Sequence, residues 1–90
     1  MPYISEERRD KYGELEDMLA CIMEEELPAG DLNYIISRIM VLSMCPSGMV
    51  SSYTRANTII GVLECAKMEL YRRFIVPYED KSIINNGDIF

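Results

Sequence analysis

The chain has 90 residues, a net charge of −6, three cysteines and no histidine, and 49% of its residues are hydrophobic. One domain of this size buries a smaller share of its surface than larger ones do, so it calls for a supplement such as disulfides, a metal or association. Cys21, Cys45 and Cys65 are odd in number and widely spaced without a CxxC, which speaks against a disulfide framework or a zinc site and leaves association as the expected supplement.

The start, MPYISEERRD, lacks the apolar stretch of a secretory signal. Ser5 followed by Glu6 and Glu7 reads as an N-cap with acids in the first turn. Leu15, Met18, Leu19, Ile22 and Met23 recur at helical spacing, predicting a helix to about Leu27, with a weak point at Lys11–Gly13. Glu24-Glu25-Glu26 stands at the wrong end for the helix dipole and reads as a solvated, fraying terminus. Pro28 and Gly30 close an acidic N-terminal segment, 1–29.

Asp31 is read as the N-cap of a second helix, Leu32 to Met44, with Leu32, Ile35, Ile36, Ile39, Met40 and Leu42 on one broad face. Val41 and Cys45 interrupt its polar face, which suggests cover on two sides, the second from another copy. The run Ile35–Cys45 is too short and too polar for a bilayer of about 30 Å, so no membrane partner is expected. Cys45-Pro46-Ser47-Gly48 is a turn.

Ser51 or Ser52 caps a third helix expected to reach Ile75, with a stripe of Ala56, Ile59, Ile60, Leu63, Ala66, Leu70 and Phe74. The short connection predicts an antiparallel hairpin over 31–76. Gly61 costs about 1 kcal/mol relative to alanine inside a helix, a cost that the close approach of another backbone or a ligand would offset. Glu64 is expected to have a hydrogen-bond partner, capping a helix or bridging between helices. Pro77 is read as the end of this helix and 77–90 as an extended arm. Asn86-Gly87 favours a tight turn with positive φ, so Ile83-Ile84 and Ile89-Phe90 either pair as a small hairpin or dock on a neighbour, the latter preferred. The fold class is therefore all-α: an N-terminal helix, a helical hairpin and a C-terminal arm, in one homo-oligomeric domain.

Charge is unevenly spread. Residues 1–31 carry ten acids and three bases, residues 32–78 two acids and five bases, and residues 79–90 three acids and one base. An acidic chain is a poor binder of duplex DNA, whose affinity comes from neutralising many phosphates. A local basic site still suits a compact anion. No phosphate loop, nucleophile elbow or neutral-pH proton shuttle is present, so the chain is not read as an enzyme and no cofactor or metal is expected. A minor reading keeps metal-dependent nuclease or phosphodiesterase chemistry at Glu64.

The stronger candidate is Tyr71-Arg72-Arg73-Phe74. Arginine forks suit phosphate oxygens, and aromatic faces suit bases. In the leading reading Arg38, Arg72, Arg73 and Lys81 pair with phosphates. Tyr34, Tyr71 and Tyr78 stack or hydrogen-bond, and Asn57 and Glu64 read base or ribose edges. The bland reading makes the arginines a solvated cap and the aromatics core. The functional rival is a protein–protein interaction module that engages another protein through its acidic helix or apolar faces.

GDLNYIISR at 30–38 and ANTIIGVLECAKMELYRRFIVPYEDKSIINNGDIF at 56–90 resemble a family of short proteins of unknown function from tailed bacteriophages and prophages. The resemblance rests on LNY-x-I-x-R, N-x-x-IGVLEC-x-K, YRR, PYEDK and NGD. It spans the chain, is looser at 40–53, and implies a host bacterial cytoplasm without supplying a mechanism. In size, helical make-up and Arg-aromatic cluster the chain also resembles small phage proteins that sequester nucleotide immune signals, a fold-level analogy with no shared motif.

Overall fold

The computed structural model describes residues 3–90. Helices and turns account for the ordered elements, and among the described residues there is no strand. The chain divides into two units, Met1–Ser52 and Tyr53–Phe90.

The first unit holds three helices. Ser5 caps α1 (Glu6–Asp10), its side chain accepting from the Arg8 N–H at 3.3 Å. The Arg9 side chain donates back to the Ile4 carbonyl at 3.0 Å, tying the cap to the preceding backbone. The interruption expected near Gly13 is present, since α2 runs Gly13–Ile22 with Tyr12 as its N-cap residue. It stops short of the expected Leu27. Met23 closes it through a bond to the Leu19 carbonyl at 2.9 Å, leaving Glu24, Glu25 and Glu26 outside the helix. Three carboxylates on the last turn would meet the negative end of the helix dipole, so release of that turn is the cheaper solution.

Helix α3 (Ala29–Met44) starts earlier than the sequence reading places it. Pro28 is the N-cap residue, and its carbonyl takes the N–H groups of Asp31 and Leu32 at 3.0 and 3.1 Å. Asp31 therefore lies in the first turn rather than at the cap, a place that equally favours an acid. The turn after α3 is a short 3₁₀ segment, Pro46–Gly48, with Ser47 at φ 52° and Gly48 at φ 76°.

The second unit departs most from expectation. Helix α4 (Tyr53–Leu70) continues through a π-helical turn, Tyr71–Ile75, into α5 (Val76–Asn86). Pro77 was expected to end the helix and begin an extended arm; instead it sits in the first turn of α5. The correction has a local cause. Proline lacks an N–H, and its ring collides with the carbonyl four residues back in a regular α-helix. A wider turn with five-residue bonds relieves that collision, and the Val76 N–H donates to the Tyr71 carbonyl, five residues earlier. Leu70, Ile75 and Val76 all keep right-handed helical angles, so the helix is unbroken from Tyr53 to Asn86.

Gly87 ends α5. Its φ of 86° and ψ of 152° fall in a region open in practice to glycine alone, and its N–H donates to the Ile83 carbonyl at 2.8 Å. The positive φ read from Asn86-Gly87 is there, but it closes a helix instead of a hairpin.

No described residue is buried in either unit. The least exposed apolar side chains of the first unit, Ile4, Leu19, Leu27, Ile35, Ile36, Met40 and Met44, are only half-covered. On α4 Ala56 and Ile59 are half-covered, but Ile60 is 58% exposed, and beyond it Phe74 reaches 69%. The stripes predicted as core faces are real as patterns and open as surfaces.

Candidate functional site

Seven of the nine residues singled out from the sequence lie on the continuous helix of the second unit. Asn57 and Glu64 are on α4, Tyr71, Arg72 and Arg73 on the π turn, and Tyr78 and Lys81 on α5. Tyr34 and Arg38 are on α3 in the first unit.

The helix brings some of these together and separates others. Tyr71 donates its hydroxyl to Glu79 at 3.0 Å. Two regular α turns contain about 7.2 residues. A bond across eight residues shows the extra residue of the π turn, which sets Tyr71 and Glu79 on one face. Asn57 precedes Tyr71 by fourteen residues, about 21 Å along a helix, so within one chain it does not share a small-ligand site with Tyr71. Glu64 is not a bridge between helices. It pairs with Lys67 on its own helix at 2.8 Å, with both side chains well exposed, a geometry that contributes little to stability.

Arg72 and Arg73 converge on one carboxylate that the sequence reading passed over. Oε1 of Glu69 accepts from Nη2 of Arg72 and, at 2.8 Å, from Nε of Arg73. The signal was available, since Glu69 stands three and four residues before the two arginines, the spacings at which helical side chains meet. Glu69 is 28% exposed, whereas Arg72 and Arg73 remain 63% and 57% exposed. One carboxylate oxygen thus serves two guanidinium groups.

The Tyr71 phenol is perturbed by its partner. Its hydrogen bond to Glu79, followed by the carboxylate's charge, holds the phenol above its ordinary value of 10.0, because ionisation would break the bond and set two anions side by side. Tyr71 therefore acts as a hydroxyl donor across the neutral range.

An open groove of about 350 Å³ lies elsewhere on this unit, between the last turns of α5 and the tail, lined by Glu79, Ile83, Asn86, Ile89 and Phe90 among others. Tyr71, Arg72, Arg73 and Lys81 do not line it. Among the described residues, its own helix backbone aside, no atom lies within 4 Å of where a Cβ on Gly61 would stand, so they do not make the close approach that would justify a glycine. No helix among the described residues is long and apolar enough to cross a membrane. Among the same residues no three side chains of the His, Cys, Asp and Glu types gather as metal ligands.

The chain belongs to the family described as Domain of unknown function (DUF6899), whose model matches residues 1–89. No curated protein and no solved structure matches it.

Proposed function

We propose that this protein is a non-catalytic interaction module whose exposed helical stripes are covered by another polypeptide, a further copy of the chain first of all. What supports the reading is a single contradiction. Hydrophobic residues make up 49% of the chain, yet no described residue is buried. Helices of ten to eighteen residues draw most of their stability from packing an apolar face, and isolated ones are marginal in water. A stripe such as Ile59, Ile60, Leu63 and Leu70 therefore needs a cover. The setting we propose is a phage-type protein acting in the host bacterial cytoplasm, where a host or phage protein is the alternative partner.

The test is thermal unfolding over a hundredfold range of protein concentration, with light scattering for mass. Assembly makes the melting temperature rise with concentration. A concentration-independent melt at monomer mass would refute self-association and leave only a foreign partner.

A second reading is favoured by the Glu69–Arg72–Arg73 cluster. Two guanidinium forks share one carboxylate, stay more than half exposed and adjoin Tyr71 on a π turn, an element often found at functional sites. We propose for this reading a phosphate-bearing ligand, with a nucleotide signal as the class, held by Arg72, Arg73 and Lys81 and stacked on Tyr71 or Tyr78 without turnover. A panel of cyclic and linear nucleotides in thermal melts decides it, since a ligand at 100 times its dissociation constant stabilises the fold by about 2.7 kcal/mol. No shift with any of them would remove this reading.

A further inference from the structure

The apolar stripe of α2 is unevenly covered. Leu19 is half-covered, whereas Leu15, Met18 and Ile22 stay 53%, 63% and 48% exposed. These three recur at positions i, i+3 and i+7, so they line one edge of the helix over two turns. Glu14 and Asp17 border that edge, since Glu14 stands four residues before Met18 and three before Asp17. Glu24, Glu25 and Glu26 follow the end of α2, outside the helix. From Tyr12 to Ser37 the chain carries seven acids and no base. Among the described residues none of those seven acids makes an ion pair.

We propose that this edge of α2 is a docking site for a basic amphipathic helix of another protein. The partner's apolar residues would lie on Leu15, Met18 and Ile22, and its lysines or arginines would face the flanking carboxylates. This deepens the reading that another polypeptide covers the exposed stripes, and it rests on that reading.

Charge selects the occupant. A second copy laid with the same edge would set acids on acids, which interfaces avoid. The rest of the chain offers no basic substitute. In the second unit five bases are matched by five acids, and in the first four bases stand among ten acids. Nucleic acid and anionic lipid surfaces attract basic segments, so seven unanswered carboxylates repel both. A cationic amphipathic helix meets both demands at once: it takes the apolar edge out of water and answers the acids. Met18 suits such a seat, because an unbranched thioether adapts to the shape laid against it. The acidic flanks also speed encounter with a basic partner, an effect that salt suppresses.

The experiment titrates the full chain into fluorescein-tagged peptides of leucine and lysine, each about five helical turns long, with anisotropy as the readout. One peptide gathers its leucines on a single helical face, a second scatters the same residues, and a third carries glutamate in place of lysine. The first should bind with a dissociation constant of about 10 μM or below, the second at least about tenfold more weakly, and the third not at all. Met18→Ser with Ile22→Ser should weaken binding at least about tenfold. Glu14→Gln with Asp17→Gln should weaken it and flatten its salt dependence. Ile84→Ser, at an exposed apolar position of the second unit, should leave it unchanged. Circular dichroism of each variant checks that it is folded. No binding of the first peptide at about 100 μM, equal binding of the scattered one, or binding indifferent to the Met18 and Ile22 substitutions would each overturn the site. Binding to anionic lipid vesicles in place of the peptide would overturn it too. Failure of self-cover is read separately, from the concentration dependence of the melt without any peptide.

Discussion

The two units have similar shares of apolar residues but treat charge and proline in opposite ways. In the first, ten acids face four bases, and the helices are separate pieces broken at Lys11–Tyr12 and again after Ile22. In the second, acids and bases are equal, and one helix continues from Tyr53 to Asn86 through a proline. Pro28 stands at a helix start, whereas Pro77 is absorbed by a π turn. The lesson is that net charge and proline do not decide by themselves. What matters is whether a like-charged run meets a helix end, as at Glu24–Glu26, or is answered at helical spacing, as Glu69 answers Arg72 and Arg73.

If the further copy proposed above covers the balanced unit, the sharpest way to break the comparison is to place a charge on each unit's stripe. Leu63→Asp on α4 should cost about 2–3 kcal/mol in concentration-dependent unfolding, the worth of burying a leucine against a partner. Leu15→Asp on the acidic α2, 53% exposed, should stay within about 0.5 kcal/mol. Equal losses at the two sites would erase the distinction between the units.

Pro77→Ala separates continuity from register. An alanine restores the missing N–H and removes the ring, so helicity should rise and the isolated chain gain about 1–3 kcal/mol, up to the full cost of a helical proline. Without the ring the π turn has no reason to persist. A regular α-helix would rotate everything beyond Val76 by about 100° and part Tyr71 from Glu79. Higher helicity with weaker assembly is the expected outcome, read by circular dichroism and sedimentation together.

Much of the first unit was legible because its signals are local. Ser5 as a cap, the weakness at Gly13, the fraying of the glutamates and the Cys45–Gly48 turn each depend on a few neighbouring residues, and each appears in the structure. Asp31 misled because an acid is equally favourable at a cap and in the first turn, and Pro28 took the cap. Pro77 misled for a deeper reason: the rule that proline ends a helix assumes four-residue bonds. Glu69 was readable from spacing alone, yet attention to the rare arginine pair hid the ordinary acid beside it. Where Tyr34 and Arg38 stand relative to the second unit has no local signature in the sequence.

Two glycines sharpen the contrast further, with smaller effects. Gly87→Ala puts a Cβ on a backbone at φ 86° and should cost about 1–2 kcal/mol, seen as fraying of the last turn of α5. Gly61→Ala has the opposite expected sign within the chain. Among the described residues, its own helix backbone aside, no atom lies within 4 Å of the added methyl, so helix propensity alone should stabilise by up to about 1 kcal/mol. If thermal melting instead shows a loss, and the loss grows with protein concentration, another backbone approaches α4 at that point.

The smallest effect concerns alkaline pH and belongs to the second unit alone. Tyr71 has its phenol pKa raised above 10.0 by the hydrogen bond to Glu79 and then by the charge on that carboxylate. A group whose folded value exceeds its unfolded value contributes stability that is fully present below the unfolded value and is lost as pH rises through the folded one. The bond should therefore be indifferent to pH across the neutral range and weaken only above about pH 10. Ultraviolet titration of the tyrosinate band checks it: one of the six tyrosines should ionise later than the rest. Glu79→Gln removes the charge but leaves an acceptor, so it should move that tyrosine part of the way back, and Glu79→Ala the whole way. A titration curve unchanged by both substitutions would mean that the Tyr71–Glu79 bond does not form in solution, and with it would go the evidence that residues eight apart share a face around Val76.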